Sequence, residues 1–314
     1  MSYEKSAQFY DYFSSTDNLG FYLDLARESE GSVLELGVGT GRVLFEIAKL
    51  GRDVVGVDNS VAMLREAKRK RREAYPEVSG RCRLLLADML SLDLGETFGL
   101  VYAASSAVQG PSADDLRAIF KRAAEHLDPC GVFAFDVAAP TAMRRTATFP
   151  PERRELPGGR VVIRFVAQTY NEETDATSFD LMFKEFVPGR TTTVTITEEG
   201  DGAVVTLAMI EDALAYAGLE VRGVYGDFAK GPLTEPSSVL IAQGSSLEGI
   251  AAQLEPAFQE MLVSTNDPQP YAFLGLPVVA DREANQGLMM ALASILEAAT
   301  HDRVFLRKMA TRIL

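Results

Sequence analysis

The chain has 314 residues, a formal net charge of −13 and 47% hydrophobic residues. That length suits one large domain or two, and the apolar fraction supports a real core. The excess of acid opposes tight binding to a phosphate backbone, which needs a positive footprint, so no nucleic-acid partner is expected. No apolar run reaches membrane-spanning length, and Met1 to Lys5 lacks a basic-then-apolar leader, so no membrane partner is expected and a cytoplasmic location is. Cys82 and Cys130 both fall in or beside buried strands. They read as core thiols rather than a disulfide or metal pair, which suits a reducing compartment.

In chain order, residues 4–13 and 19–28 read as short helices. The segment Val33-Leu34-Glu35-Leu36-Gly37-Val38-Gly39-Thr40-Gly41-Arg42 follows, with an amphipathic run to Leu50. This predicts a buried strand ending in an acid, a tight turn and a helix. Glycines allow the backbone to turn sharply and to approach a ligand that side chains would exclude. The spacing is G-x-G-x-G, and Arg42 stands where a dinucleotide-binding turn needs its third glycine; the phosphate-cradling G-x-x-x-x-G-K-[ST] is absent. Asp53 to Asp58 is a second buried strand. Asp58 lies about 20 residues past the first glycines, where α/β nucleotide sites place a ribose-binding carboxylate. Asn59-Ser60 caps a helix from Val61 to Arg72. The run Lys68 to Arg72 at its end reads as a solvated terminus favoured by the helix dipole, in preference to an RNA patch. Cys82 to Leu86 is a third strand, followed by Ala87-Asp88-Met89.

These residues resemble the class I S-adenosyl-L-methionine (SAM) methyltransferases. "ELGVGTGR" resembles their E/D-x-G-x-G-x-G turn, and "GVDNSVAMLREAK" resembles their second motif. The resemblance implies a cofactor site made of Glu35, Gly37, Gly39, Thr40, Gly41, Arg42, Asp58 and Asn59, with Met63 near adenine. It also implies that Asp88 reaches the adenine amino group, with Met89 beside it. Tyr10-Asp11-Tyr12-Phe13 resembles a segment that small-molecule methyltransferases fold over SAM, which adds Tyr10; packing of these aromatics on the sheet explains them equally well.

Phe98 to Ala103 is a fourth strand, followed by Ala104-Ser105-Ser106, where Ser105 and Ser106 are candidates for the pocket lining. Ser112 caps a helix from Ala113 to His126, and Gly131 to Val137 is a fifth strand. Strands alternating with helices argue for a parallel sheet covered on both faces. Period-two alternation then appears: Val161, Ile163, Phe165; Phe179, Leu181, Phe183; Val194, Ile196. Turns at Asn171 to Asp175 and Pro188-Gly189 separate the runs. This predicts an antiparallel β insertion over about 143–199. It leaves the sheet at the carboxyl edge where α/β folds bind ligands, so it either covers the site or serves dimerisation. A helix from Thr206 to Ala217, a strand from Leu219 toward Tyr225 and a last strand from Ser238 to Ala242 complete the pattern. The family resemblance covers residues 1–245, and the insertion resembles that of aminosugar N,N-dimethyltransferases. The expected fold is thus α/β: a doubly wound, seven-stranded, mostly parallel sheet with an antiparallel β insertion and a helical C-terminal extension at 246–314. Helices are expected over Leu247 to Val263 and Arg282 to Ile313, with a link at Asn266 to Pro277. An apolar stripe on the second makes a homodimer possible.

Methyl transfer from a sulfonium is an in-line displacement helped chiefly by alignment. Asp136 and Tyr225 are the candidates to orient or deprotonate an acceptor. No His, Cys and carboxylate cluster has metal-ligand spacing, and no G-x-S-x-G elbow is present. The expected function is SAM-dependent methylation of N or O on a small molecule. A catalytically silent SAM-binding regulator or scaffold, or an RNA or protein methyltransferase, remain as alternatives.

Overall fold

The computed structural model describes residues 3–109, 112–189, 193–234, 237, 239–246, 263–264 and 278–279. The chain divides into two compact units, Met1–Ser246 and Leu247–Leu314. In the first, seven strands form one sheet: β1 (Val33–Leu36), β2 (Val54–Asp58), β3 (Cys82–Leu86), β4 (Phe98–Ala103), β5 (Leu127–Ala138), β11 (Leu219–Tyr225) and β12 (Val239–Ser246). Their spatial order is β11-β12-β5-β4-β1-β2-β3. β12 runs antiparallel to β5 and β11, and the remaining pairs are parallel. β1 and β4 are buried along their whole length, as continuous apolar runs in a helix-covered parallel sheet should be.

Helices α2 (Leu19–Glu28), α3 (Leu44–Lys49), α4 (Val61–Glu73), α5 (Ala113–Glu125) and α7 (Leu207–Tyr216) punctuate the strands. Their starts follow from capping chemistry. Ser60 Oγ accepts the Met63 N–H of α4, Thr206 Oγ1 accepts the Met209 N–H of α7, and Ser112 forms a reciprocal capping box with Asp115 in α5. One apolar cluster holds α5 and α7 on one face through Phe120, Phe133, Phe135 and Leu214. The other holds α2, α3 and α4 through Tyr22, Phe45, Ile47 and Leu64. α1 (Tyr10–Phe13) and the short α6 (Pro140–Met143) lie outside these layers.

The insertion is a separate antiparallel sheet built from β6 (Ala147–Thr148), β7 (Glu152–Leu156), β8 (Arg160–Asn171), β9 (Ala176–Phe186) and β10 (Val194–Ala203). The β8–β9 turn is set by Asn171 Oδ1, which accepts the Glu173 and Thr174 N–H groups. The inward face of β8 carries Val162, Arg164 and Val166, opposite Phe183 and Leu181 of β9, and not the stripe of Val161, Ile163 and Phe165 read from periodicity. Arg164 hides the true phase. Its charged head pairs with Glu152 and lies over the Phe13 ring at 4.7 Å, so a cation occupies an apolar face.

Cys82 is buried as expected, with its thiol pushed up to about 11 by burial, whereas Cys130 is exposed on the irregular start of β5. Among the described residues no helix is long and apolar enough to cross a membrane. In the second unit, β13 (Val263–Ser264) and β14 (Val278–Val279) pair in parallel. Apart from Val263, which is extended, the helices and link expected after residue 246 lie outside the described residues.

Candidate active site

The carboxyl ends of β1, β2 and β4 face the inner side of the insertion sheet across a cavity of about 610 Å³. On the sheet side the turn after β1 contributes Gly37, Val38, Gly39, Thr40 and Arg42. The turn after β2 contributes Asp58, Asn59 and Ser60, with Met63 from the first turn of α4; Met89 and Ser105 come from the ends of β3 and β4. These are residues separated by up to 68 positions, from Gly37 to Ser105, brought together because parallel strands end on a common edge.

Asp58 is held by the turn it serves. Its Oδ2 accepts the Gly39 N–H at 2.7 Å and its Oδ1 accepts the Ser60 N–H at 2.8 Å. Burial pushes its carboxyl up, and these backbone donors pull it back. Each oxygen keeps a lone pair for a further donor. Gly39 has φ +53°, and a Cβ built there meets no atom within 4 Å, so its turn leaves open space against the cavity. Gly41 has another function. Its Cβ would sit 2.5 Å from Phe45 Cε2, and it does not line the cavity, so its glycine is required for packing of α3.

Glu35 is buried and lines the cavity, accepting the Tyr102 hydroxyl at 2.8 Å. Burial pushes its carboxyl up to about 8, against the pull of Tyr102 and Arg42. Arg42 spans two elements: its Nη1 donates to Asn18 Oδ1 at 2.9 Å and its Nη2 to Ser105 Oγ at 2.6 Å.

The N-terminal segment lies along the same cavity, with Tyr3 and Tyr10 in its wall and their rings edge-to-face at 4.9 Å. Two anchors hold it. Asp11 accepts Thr40 Oγ1 at 2.5 Å and pairs with Lys70 at 2.6 Å. The buried carboxylate of Glu198, on β10, accepts the Lys5 N–H at 2.7 Å, the Ser6 N–H at 3.3 Å and the Ser6 hydroxyl. The segment therefore ties the glycine turn to the insertion sheet.

Four of the residues singled out from sequence do not line the cavity: Gly41, Asp88, Asp136 and Tyr225. Asp88 is exposed, and its Oδ1 accepts the Leu90 N–H at 2.9 Å in a local turn. Tyr225 packs in the helix-side cluster, its ring 6.3 Å from that of Phe21. Asp136 does not line the cavity and accepts three donors. Its Oδ1 accepts the Tyr22 hydroxyl at 2.7 Å and the Ser105 N–H at 2.9 Å, and its Oδ2 accepts the Ser106 N–H at 2.8 Å. Ser105 and Ser106 have φ of 58° and 59°, a conformation non-glycine residues seldom adopt, and this carboxylate holds them in it. The arrangement makes Asp136 a fastener of the turn rather than a base facing an acceptor.

The insertion side was not legible from motifs. It contributes Phe149, Arg164, Val166, Phe179, Leu181 and Asp201, joined by Met143 and Glu152. Correct phasing of the alternation in β8 and β9 is the one signal that finds part of this set.

The family model for a methyltransferase domain matches residues 33–131, and that for a MobA-like NTP transferase domain matches residues 238–307, a span that includes the last strand of the main sheet. The chain is 30% identical over 211 residues to a cypemycin N-terminal methyltransferase from a Streptomyces species, spanning 67% of this chain and 81% of that protein. Its fold matches that of an S-adenosylmethionine-dependent methyltransferase from Clostridium acetobutylicum, with TM-score 0.65 and 20% identity over 78% of this chain and 98% of that one. It likewise matches DesVI of Streptomyces venezuelae, with TM-score 0.63 and 23% identity over 76% and 98%. The chain belongs to the class I SAM-dependent methyltransferase family.

Proposed function

We propose that this methyltransferase transfers its methyl group to the nitrogen of a small-molecule amine. SAM supplies a methyl group on a sulfonium leaving group, so what the chain adds is alignment and exclusion of water. The cavity suits that cofactor: Gly39 leaves room for a close backbone approach, and Asp58 keeps acceptor capacity for two vicinal hydroxyls. In this reading Asp58 binds the ribose, Met63 and Met89 flank the adenine, and Arg42 faces the amino-acid carboxylate. Glu35, Thr40, Asn59, Ser105 and Tyr10 complete the surround. Asp88, turned to its own loop, takes no part.

The observation that carries nitrogen over oxygen is the engagement of Asp136 by three donors. A hydroxyl acceptor needs a positioned base, whereas an amine has only to lose its proton to water before it attacks. No histidine lines the cavity among the described residues, Glu152 is held by Arg164, and burial pushes the Glu35 carboxyl up to about 8. Asp201, though unpaired, is exposed to solvent on β10 with no partner among the described residues to fix it as a positioned base. The name of the cypemycin enzyme, which specifies an N terminus, supports the same choice.

Asp58→Ala should weaken SAM binding by about 1–3 kcal/mol, the range for a lost hydrogen bond to a charged acceptor. Calorimetry with SAM and a 2′,3′-dideoxy analogue tests this; an equal loss for both ligands on going to the variant removes the ribose contact. Gly39→Val places a branched side chain at positive φ against the cavity. SAM binding should be lost while circular dichroism shows the sheet retained, and unchanged affinity in that variant would sink the placement of the cofactor.

A further inference from the structure

The two sides of the cavity differ in chemistry. The side built from the strand-end turns is polar, with Glu35, Thr40, Arg42, Asp58 and Asn59. The side built from α6 and the insertion presents Met143, Phe149, Val166, Phe179 and Leu181. Its polar groups are largely committed. Gln109 spends both ends of its amide, donating to the Ala203 carbonyl and accepting the Ala138 N–H. Arg164 pairs with Glu152 and lies on the Phe13 ring. Asp201, exposed at the rim, is the one charged group of this side with no hydrogen bond or ion pair among the described residues.

We infer that the acceptor is an amphipathic amine with an apolar flank, and that Asp201 draws its ammonium form to the rim. This rests on the nitrogen reading above. A polyhydroxylated acceptor would bury hydroxyls against the side chains of Val166, Phe179 and Leu181, which offer no hydrogen-bonding group in exchange for the lost hydration. A diphosphate-linked acceptor would bring negative charge to a side whose arginine is already paired, on a chain of net charge −13. An apolar flank instead gains by leaving water, and a cation is attracted by the unpaired rim carboxylate. This side is continuous with the cofactor side in one cavity, so an acceptor lodged there meets the methyl donor directly.

Calorimetry on the full chain saturated with S-adenosylhomocysteine tests this with 2-phenylethylamine, 2-phenylethanol and glucosamine. 2-Phenylethylamine should bind at least tenfold more tightly than glucosamine. Asp201→Asn should weaken 2-phenylethylamine about three- to tenfold and leave 2-phenylethanol unchanged. Val166→Thr, which keeps the shape and adds a hydroxyl, should narrow the preference for the apolar amine over glucosamine; its SAM affinity reports that the fold is intact. Equal or tighter glucosamine binding, or failure of both phenyl ligands to bind, overturns the proposal. Methylation of 2-phenylethanol but not of 2-phenylethylamine, with tight binding of both, would leave the apolar side standing and remove the nitrogen reading.

Discussion

Asp136→Asn should lower stability by about 2 kcal/mol and weaken SAM binding, without giving the pH profile of a lost base. The substitution keeps one acceptor oxygen but turns an amide N–H₂ toward a backbone N–H that has no other partner. Alanine removes all three acceptances, leaving the Tyr22 hydroxyl with only the Ala103 carbonyl at 3.2 Å and the half-buried Ser105 and Ser106 N–H groups without this acceptor, at about 2–4 kcal/mol in all. The Ser105–Ser106 turn then relaxes from its left-handed conformation, and Arg42 loses its fixed partner Ser105 Oγ. Urea midpoints and calorimetry measure both effects. If Asp136→Asn abolishes turnover with stability and SAM affinity unchanged, the carboxylate acts on the acceptor and the fastening role is wrong.

The ligand-free protein should lose stability as pH rises from about 4.5 to about 8, and Glu35→Gln should remove much of that loss. The folded-state carboxyl of Glu35 is raised from 4.5 to about 8 by burial. Between those values the native state holds a proton that the unfolded chain has released, so stability is greatest below the lower value and declines up to the higher one. The slope from one such group is at most about 1.4 kcal/mol per pH unit. Asp58 and Asp136 are also raised and contribute the same sign, so the variant keeps a residual slope. Melting temperatures of both proteins at pH 5, 6, 7 and 8 give the comparison. The two curves should diverge with rising pH in favour of glutamine; parallel curves would show that Glu35 is ionised throughout.

The main sheet and the strand-end side of the cavity are legible because their signals are local. Apolar runs, strand-end acids, three glycines and cap residues such as Ser60 and Ser112 each act within a few residues. The helix after the glycine turn came out shorter than its amphipathic run, starting at Leu44, because Gly41 and Arg42 are spent on the turn. The other side of the cavity depends on contacts that no window contains. β7, with the sequence Glu-Arg-Arg-Glu-Leu, carries no alternation and is a strand only because β8 pairs with it. Arg164 reads as a solvent residue until Phe13 and Glu152 lie against it. Tyr225 and Asp136 sit at strand ends, where sequence places catalytic groups, and only tertiary packing shows that one faces a hydrophobic cluster and the other a backbone turn.

The clasp between the N-terminal segment and Glu198 also bears on the order in which this protein assembles. Ser6 is synthesised 192 residues ahead of the carboxylate that receives it. Closing so long a loop is costly before other structure shortens it, so this contact belongs to the last stage of folding rather than to a nucleus. Until β8 and β9 have paired, Phe9 and Tyr3 have no apolar face to cover, and until β10 joins β9 the clasp to Glu198 cannot close. A nascent chain on the ribosome thus exposes these aromatics for most of its synthesis, as a surface on which chaperones and early aggregation compete.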